Sequence, residues 1–296
     1  MTITDCFLLP DGRLRAGWRA ALFAVVFVVI LVIASVGAAF TRQVLSVALS
    51  VILQATATGG ATWIMLRWME AQPFVSIGLV WRRESWGETG WGLAGAVGLV
   101  GGVTAVEWGI GAIRFESKTG GDGASVVVAF GMLTGLIFLG ASYEEVLFRG
   151  YAFQRIIEGT NGTAAVAVTS LVFGVLHMSN PHATELSTLN TVLAGVLLGL
   201  AYLRTRALWL PIGFHFGWNW MLAVLGHPVS GLEVAELPWR VAPAADPVWL
   251  HGGSYGPEGG IVATAFLVLG SLYLGAYYPL REGEAPELSK ENPGAS

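Results

Sequence analysis

Two adjacent carboxylates interrupt an apolar stretch of the chain. Glu144 and Glu145 follow the run Val126–Gly140, and Arg149 stands four residues after Glu145. Inside a membrane, each such charge costs roughly 2.5–3.5 kcal/mol on insertion scales, so an intramembrane acid is a candidate functional residue. A Glu and an Arg at this spacing share a helical face and form a favourable pair. The pattern predicts that Arg149 neutralises Glu145, as a structural ion pair would, and that Glu144 is left for chemistry.

Two later apolar segments each carry a histidine. His177 ends the sequence Phe-Gly-Val-Leu-His, and His215 begins His-Phe-Gly-Trp-Asn, which places Asn219 on the same helical face as His215. At about 1.5 Å per residue, these side chains and Glu144 lie roughly 12–21 Å from the predicted cytoplasmic ends of their helices. They could therefore meet near the middle of the membrane. The competing interpretation is that the histidines are packed, hydrogen-bonded residues and that Asn219 bridges helices.

The composition indicates that helices in a membrane position these groups. The 296 residues are 54% hydrophobic and 12% charged, whereas soluble domains carry about 25% charged residues. Cys6 is the single cysteine, which excludes an internal disulfide and a cysteine metal cluster. Apolar runs long enough to cross a bilayer predict about eight spans: Ala16–Phe40, Val44–Leu66, Trp91–Ile113, Val126–Ile157, Thr163–Met178, Leu186–Leu203, Ala207–Leu225 and Gly260–Leu280.

We therefore expect an all-α fold, a polytopic membrane helix bundle of about eight transmembrane helices. Residues 1–296 would form a single membrane domain with a catalytic core at about 126–225, and residues 282–296 a disordered cytoplasmic tail. Between the second and third spans, Glu70–Glu88 carries two Trp and two Arg and is typical of a short helix on the membrane surface. The longest loop is expected at Gly226–Gly259.

The positive charges predict the orientation of the bundle. Of the 16 basic residues, only Arg42, Arg114, Lys118 and Arg240 fall on one side of these spans, which leaves 12 on the other. Cytoplasmic loops carry the excess of Lys and Arg. We expect a multi-pass protein of the cell inner (plasma) membrane with both termini in the cytoplasm.

Three motifs in this order resemble one family. Glu-Glu-x-x-x-Arg at Glu144, Phe-x-x-x-His ending at His177 and His-x-x-x-Asn at His215 are similar to the CPBP family. That family comprises the prenyl-protein (CAAX) endopeptidases and the related bacterial Abi and bacteriocin-immunity proteins. The resemblance covers about Ile137–Leu225, under a third of the chain, and it implies an intramembrane endopeptidase.

The resemblance also implies roles for the residues. Glu144 would be the general base that activates a water molecule, and His177 would help to bind or polarise that water. His215 and Asn219 would donate hydrogen bonds to the developing oxyanion, while Glu145 and Arg149 would support Glu144. No cofactor is then expected. In the alternative, Glu144, His177 and His215 are ligands of Zn²⁺, which accepts nitrogen and oxygen ligands and keeps a position for water.

The expected partners are the lipid bilayer and a membrane-associated peptide or protein, which could be lipidated and CAAX-like; no nucleic acid is expected. Two other functions compete with proteolysis. A non-catalytic family member would use the same cavity as a membrane chaperone, a bacteriocin-immunity protein or a regulatory protein. A proton-coupled transporter would use Glu144 and the histidines as a relay, although the chain lacks the paired halves that transporters often show. The identity of the substrate and the oligomeric state stay open.

Overall fold

The computed structural model describes residues 6–40, 47–118, 123–234, 237–244 and 246–278. The helices are α1 Ala16–Phe40, α2 Val47–Ile64, α3 Arg83–Gly109, α4 Gly123–Glu145, α5 Tyr151–Gly159, α6 Gly162–His177, α7 Glu185–Thr205, α8 Trp209–Leu225, α9 Val248–His251 and α10 Ile261–Ala276. Two π-helical segments extend α2 (Met65–Glu70) and join α4 to α5 (Val146–Gly150). The predicted all-α membrane helix bundle is confirmed. The predicted tail, 282–296, lies outside the described residues.

In the part of the chain that the structure describes, five helical segments are long and apolar enough to cross a membrane: Ala16–Ala38, Val47–Glu70, Arg83–Gly109, Phe130–Gly159 and Glu185–Thr205. Two further apolar helices, α6 and α10, are shorter. Helix α8 has 17 residues, which gives a length of about 26 Å against a bilayer core of about 30 Å. The chain is thus a multi-pass membrane protein, but the predicted count of about eight full spans is not confirmed.

The start of α3 corrects one prediction. The third span was expected at Trp91–Ile113, but α3 begins at Arg83, because a capping box joins Arg82 and Ser85: the Arg82 N–H donates to the Ser85 hydroxyl at 3.0 Å. The separate surface helix expected within Glu70–Glu88 is therefore not formed. A short 3₁₀ turn, Phe74–Ile77, precedes α3 instead.

A two-stranded antiparallel sheet was not predicted. Strand β1, Ile113–Ser117, pairs with β2, Trp239–Pro243, with Glu116 opposite Arg240. The Glu116 carboxylate accepts from Arg240 at 2.7 Å and from Arg114 at 2.8 Å. Part of the predicted loop Gly226–Gly259 is thereby ordered as a strand. The sheet also joins Arg114 and Arg240, two of the charges that sequence analysis assigned to the same side.

An ion network with two buried arginines joins helix ends at the opposite side of the bundle. Arg19 of α1 pairs with Glu70 at 2.7 Å and with Glu158 of α5, and Arg155 contacts the same two carboxylates at 3.3 and 2.8 Å. The Tyr151 hydroxyl also donates to Glu70 at 2.7 Å. The network brings together the N-terminal region, the end of α2 and the end of α5. Sequence analysis had assigned their basic residues to one side of the membrane.

Helices α3 and α8 pack backbone to backbone. A Cβ added to Gly213 would lie 2.3 Å from the Thr89 carbonyl oxygen, and one added to Gly92 would lie 2.4 Å from the Leu210 carbonyl oxygen. Small residues permit such close approach between membrane helices. The contact fixes the part of α8 that carries His215.

Candidate active site

Glu144 and Glu145 lie at the point where α4 changes from α-helix to π-helix. Glu145 is the last residue of α4, and the π-helical segment Val146–Gly150 follows directly. Such segments frequently occur at functional sites. The two side chains have different surroundings: that of Glu145 is 0% exposed, whereas that of Glu144 is 21% exposed and lines a cavity.

Glu145 is held by two partners. Its Oε1 accepts from Arg149 Nη1 at 3.1 Å and from His215 Nδ1 at 2.8 Å. Arg149 Nη2 in turn donates to the Gly195 carbonyl at 3.1 Å, and its guanidinium lies 5.0 Å from the centre of the Phe173 ring. The ion pair with Arg149 therefore forms at the expected spacing, but its further contact is to His215 rather than to Glu144. Glu145 orients the imidazole of His215.

One oxygen of Glu144 is without a hydrogen bond from any residue that the structure describes. The Tyr143 hydroxyl donates to Oε1 at 3.2 Å, whereas Oε2 has no hydrogen-bond partner among the described residues. The nearest charged partner of Oε2 is His215 Nε2, at 3.7 Å. This distance is too long for a direct hydrogen bond.

The two histidines present the same nitrogen to the site. His177 Nδ1 donates to the Phe173 carbonyl at 2.7 Å, and His215 Nδ1 donates to Glu145, which leaves Nε2 on each ring. The Phe173 ring contacts both imidazoles, with centroids 4.4 Å from His177 and 6.0 Å from His215. Asn219 lies one helical turn after His215, and its side chain lines the same cavity. The structure thus brings Glu144, His177, His215 and Asn219 to one cavity.

This cavity has a volume of about 610 Å³ and an apolar and a polar side. The apolar side comes from α1, α2 and α4, with Phe27, Leu31, Val51, Leu133 and Ile137 among the lining residues. The polar side comes from residues that follow α6 and α8 and from the turn before α10, namely Asn180, Ser230 and Glu258. Ligand cavities of this size are usually apolar with a few polar groups.

Sequence reasoning missed Glu258. Its Oε1 accepts from Trp218 Nε1 at 3.0 Å, and its Oε2 accepts from the Ser230 amide at 2.5 Å. Burial raises the pKa of the Glu258 carboxyl, and the hydrogen bonds from Ser230 and Trp218 oppose that shift. The sequence around it, Gly256-Pro-Glu-Gly-Gly260, reads as an ordinary turn-rich loop. Only the return of this loop to the cavity identifies the residue.

The positions of the predicted ligand side chains show whether they fit a zinc site. Glu144 Oε2 and His215 Nε2 face each other at 3.7 Å. Within the described ranges, however, no three His, Cys, Asp or Glu side chains come close enough to hold a metal ion. These residues as placed do not make up the three-ligand set of a catalytic zinc site. The zinc alternative stays a prediction for the chelator experiment below.

Comparison with known proteins gives a family match over this part of the chain and also a similar protein. Residues 125–221 match the family model described as Type II CAAX prenyl endopeptidase Rce1-like. The protein named Putative membrane peptidase YdiL, of Bacillus subtilis (strain 168), is 28% identical over 87 residues. That alignment covers 29% of this chain and 34% of the relative's length. No solved structure matches the chain. The family resemblance that the three motifs indicated is confirmed for the segment that carries them.

Proposed function

We propose that the protein is an intramembrane endopeptidase that hydrolyses a peptide bond of a membrane-associated protein or peptide. The observation that carries the proposal is the placement of Glu144, whose Oε2 has no hydrogen-bond partner among the described residues and faces His215 Nε2 at 3.7 Å inside a cavity. In the proposal, a nucleophilic water lies beside this pair and contacts both the carboxylate oxygen and the imidazole nitrogen. The match to a family of endopeptidases supports the same reaction.

In the proposed reaction, Glu144 takes a proton from the water as its oxygen attacks the carbonyl carbon of the peptide bond. The carbonyl oxygen becomes an oxyanion, which Asn219 Nδ2 and a protonated His215 stabilise by donating hydrogen bonds. Because Glu145 accepts the Nδ1 proton of His215, a donor at Nε2 requires an imidazolium, and the flanking Glu144 and Glu145 carboxylates favour that charge. Collapse of the tetrahedral intermediate breaks the C–N bond, and Glu144 returns the proton to the leaving amine.

In this proposal, His177 is a further group that contacts the water. Its Nδ1 is occupied by the Phe173 carbonyl, so Nε2 is the nitrogen that can accept from or donate to the water. Arg149 supplies the counter-charge of Glu145 through their contact at 3.1 Å, and in this proposal both residues are supporting rather than reacting groups.

The apolar side of the cavity limits the class of substrate. Its walls come from α1, α2 and α4, helices long and apolar enough to lie in the membrane. An apolar transmembrane segment or a lipid chain attached to the peptide can pack against these walls without exposing apolar surface to water. We infer that the substrate is membrane-associated, and a lipidated, CAAX-like peptide fits this description.

The test is hydrolysis of quenched-fluorescent lipidated and hydrophobic peptides by the purified protein. Glu144→Gln removes the proposed base. Glu107→Gln is the matched control, because Glu107 is a fully buried glutamate of α3 that does not line the cavity. We expect hydrolysis by the wild type and by Glu107→Gln, a loss of about 10²–10⁴-fold in Glu144→Gln, and no effect of a strong chelator.

Other results would redirect the assignment. Activity that a chelator removes and zinc restores would favour the metal-dependent alternative. A folded wild type that binds these peptides without cleaving any of them would contradict the proposal and favour a chaperone, immunity or regulatory role.

A further inference from the structure

Glu258 is a second carboxylate of the catalytic cavity, and it lies outside the segment that matches the family model. The loop that carries Glu258 is held in one conformation. Gly252, Gly253 and Gly256 have positive φ, which glycine adopts without strain. A Cβ on Gly256 would lie 2.8 Å from the Pro228 carbonyl oxygen, and one on Gly260 would lie 2.5 Å from that of Leu250. The loop is therefore pressed closely against its neighbours.

The hydrogen bonds of this loop fix the carboxylate at the cavity wall. The side-chain amide of Asn190, on α7, donates to the carbonyl oxygens of Glu258 at 2.8 Å and Gly260 at 2.9 Å. The carboxylate itself accepts from Trp218 of α8 at 3.0 Å, and from the amide and hydroxyl of Ser230 at 2.5 and 3.2 Å. The indole and amide groups can only donate, so the set matches an ionised carboxylate, which offers about four acceptor positions. About one position remains for a ligand.

The charged side chains around the cavity indicate whether the ligand group at this position is positive or negative. Among the described residues that line it, the ionisable acids are Glu144 and Glu258 and the bases are His177 and His215, with no Lys or Arg. A positive charge on His177 is close enough to oppose the burial that raises the pKa of Glu258. Arg149, which compensates Glu145, does not line the cavity. Among the described residues that line the cavity, no Lys or Arg therefore neutralises this carboxylate.

We propose that Glu258 is a specificity-determining residue that selects peptides with a cationic side chain, Lys or Arg, on the part of the substrate that lies toward Ser230. This inference rests on the proposed function and deepens it. The carboxylate attracts the cation at a half-buried position, where opposite charges interact more strongly than in solution. The fixed loop keeps that charge in place without the cost of ordering it on binding.

The experiment compares quenched-fluorescent peptides in which Lys or acetyl-lysine is placed in turn at each position near the cleaved bond. Acetylation removes the charge and keeps the length of the side chain. For the wild type we expect kcat/KM to favour Lys by about tenfold at one or two positions on one side of the bond, which corresponds to ~1.4 kcal/mol. In Glu258→Gln the ratio falls to about one.

Two control variants separate charge from structure. Trp218→Phe removes one hydrogen bond to the carboxylate and keeps its charge, so the ratio stays well above one even if the rate falls. Glu233→Gln neutralises an exposed acid that lies in the segment after α8 and lines a different pocket, and it leaves the ratio unchanged. If Glu258→Gln does not fold, Glu258→Met serves as the neutral variant of similar length.

A wild type that cleaves Lys and acetyl-lysine peptides equally would overturn the inference and leave the proposed function standing. A preference for Lys that persists in the neutral variants of Glu258 would overturn it as well. Failure of the wild type to cleave any peptide would instead contradict the proposed function, and the inference would fall with it.

Discussion

Glu144 and Glu145 are neighbours in the sequence, and their surroundings give them different chemistry. Glu145 is fully buried and binds Arg149 and His215, whereas Glu144 lines the cavity with Oε2 unbound by the described residues. A buried, paired carboxylate is suited to hold its partners, and a carboxylate that lines a cavity and keeps one oxygen without a partner among the described residues is suited to act on a water. The sequence indicated this division through the spacing of Glu145 and Arg149. It could not indicate the contact with His215, which lies 70 residues later in the chain.

Variants of the Glu145–Arg149 pair are expected to change stability and activity independently. Glu145→Gln leaves the buried guanidinium of Arg149 without its counter-charge, and breaking a buried pair costs about 3–5 kcal/mol. We expect a large fall in the thermal midpoint in detergent. The double variant Glu145→Gln/Arg149→Met removes both charges and should recover most of the stability. Hydrolysis should stay impaired in both variants, because His215 has lost its orienting carboxylate. An unchanged midpoint in Glu145→Gln would contradict this role.

His227, two residues beyond the end of α8, predicts a dependence of stability on pH. Burial lowers the pKa of His227 from 6.5 to about 4, and its Nε2 contacts the Thr104 hydroxyl at 3.0 Å. The unfolded chain binds the proton at higher pH than the folded protein, so stability falls as pH drops from about 6.5 toward 4, by about 3 kcal/mol in total. In His227→Gln this part of the pH dependence should disappear. Thermal midpoints of both proteins between pH 4 and 8 test it, and parallel curves would refute it.

At the scale of elements, the contact between α3 and α8 determines where His215 lies. Gly213 stands two residues before His215, and its Cα approaches Thr89 of α3 so closely that a Cβ would meet the carbonyl oxygen at 2.3 Å. The obstacle is backbone, which cannot move aside as a flexible side chain can. The segment of α8 that carries the site is thus positioned against α3 by a close backbone contact that glycine permits.

Gly213→Ala should therefore force α8 away from α3. Inserting a methyl group into a well-packed contact costs typically about 1–3 kcal/mol, so we expect a lower thermal midpoint and slower hydrolysis. Gly98→Ala is the matched control on α3, because nothing lies within 4 Å of its added Cβ. That variant should be as stable as the wild type or slightly more stable, since Ala favours the helix over Gly. Equal effects of the two substitutions would refute this account of the contact.

Local patterns predicted most of the helices, and long-range contacts explain what they missed. The first predicted span coincides with α1, and the fifth, Thr163–Met178, differs from α6 by one residue at each end. An apolar run is a local property, so sequence alone locates it. Strands β1 and β2 are more than 100 residues apart and are short, so neither shows a pattern of its own. Glu258 was missed for the same reason, because its role depends on Trp218 and Ser230.

At the scale of the whole molecule, two charge clusters mark opposite ends of the bundle. The ion network of Arg19, Glu70, Arg155 and Glu158 joins segments expected in the cytoplasm. The sheet with Arg114 and Arg240 holds residues expected on the other side. The predicted topology, with the N-terminus in the cytoplasm, agrees with this grouping and stays a prediction.

Labelling of Cys6 can test that topology, because it is the single cysteine of the chain and is exposed. We expect a membrane-impermeant maleimide to label Cys6 in inverted membrane vesicles and to leave it unlabelled in intact cells. Ser254→Cys in a Cys6→Ser background supplies the control, since Ser254 is exposed near the opposite end. It should label in intact cells. Labelling of Cys6 in intact cells would reverse the orientation.

The central claim is that Glu144 activates water to cleave a peptide bond, and mass spectrometry in ¹⁸O-labelled water tests it most directly. The purified wild type and Glu144→Gln would each be incubated with a peptide substrate from the fluorescence screen. We predict one ¹⁸O atom in the new carboxyl group of the product from the wild type, and product formation slower by about 10²–10⁴-fold in Glu144→Gln. A folded Glu144→Gln variant that forms the same product at the wild-type rate would contradict the account.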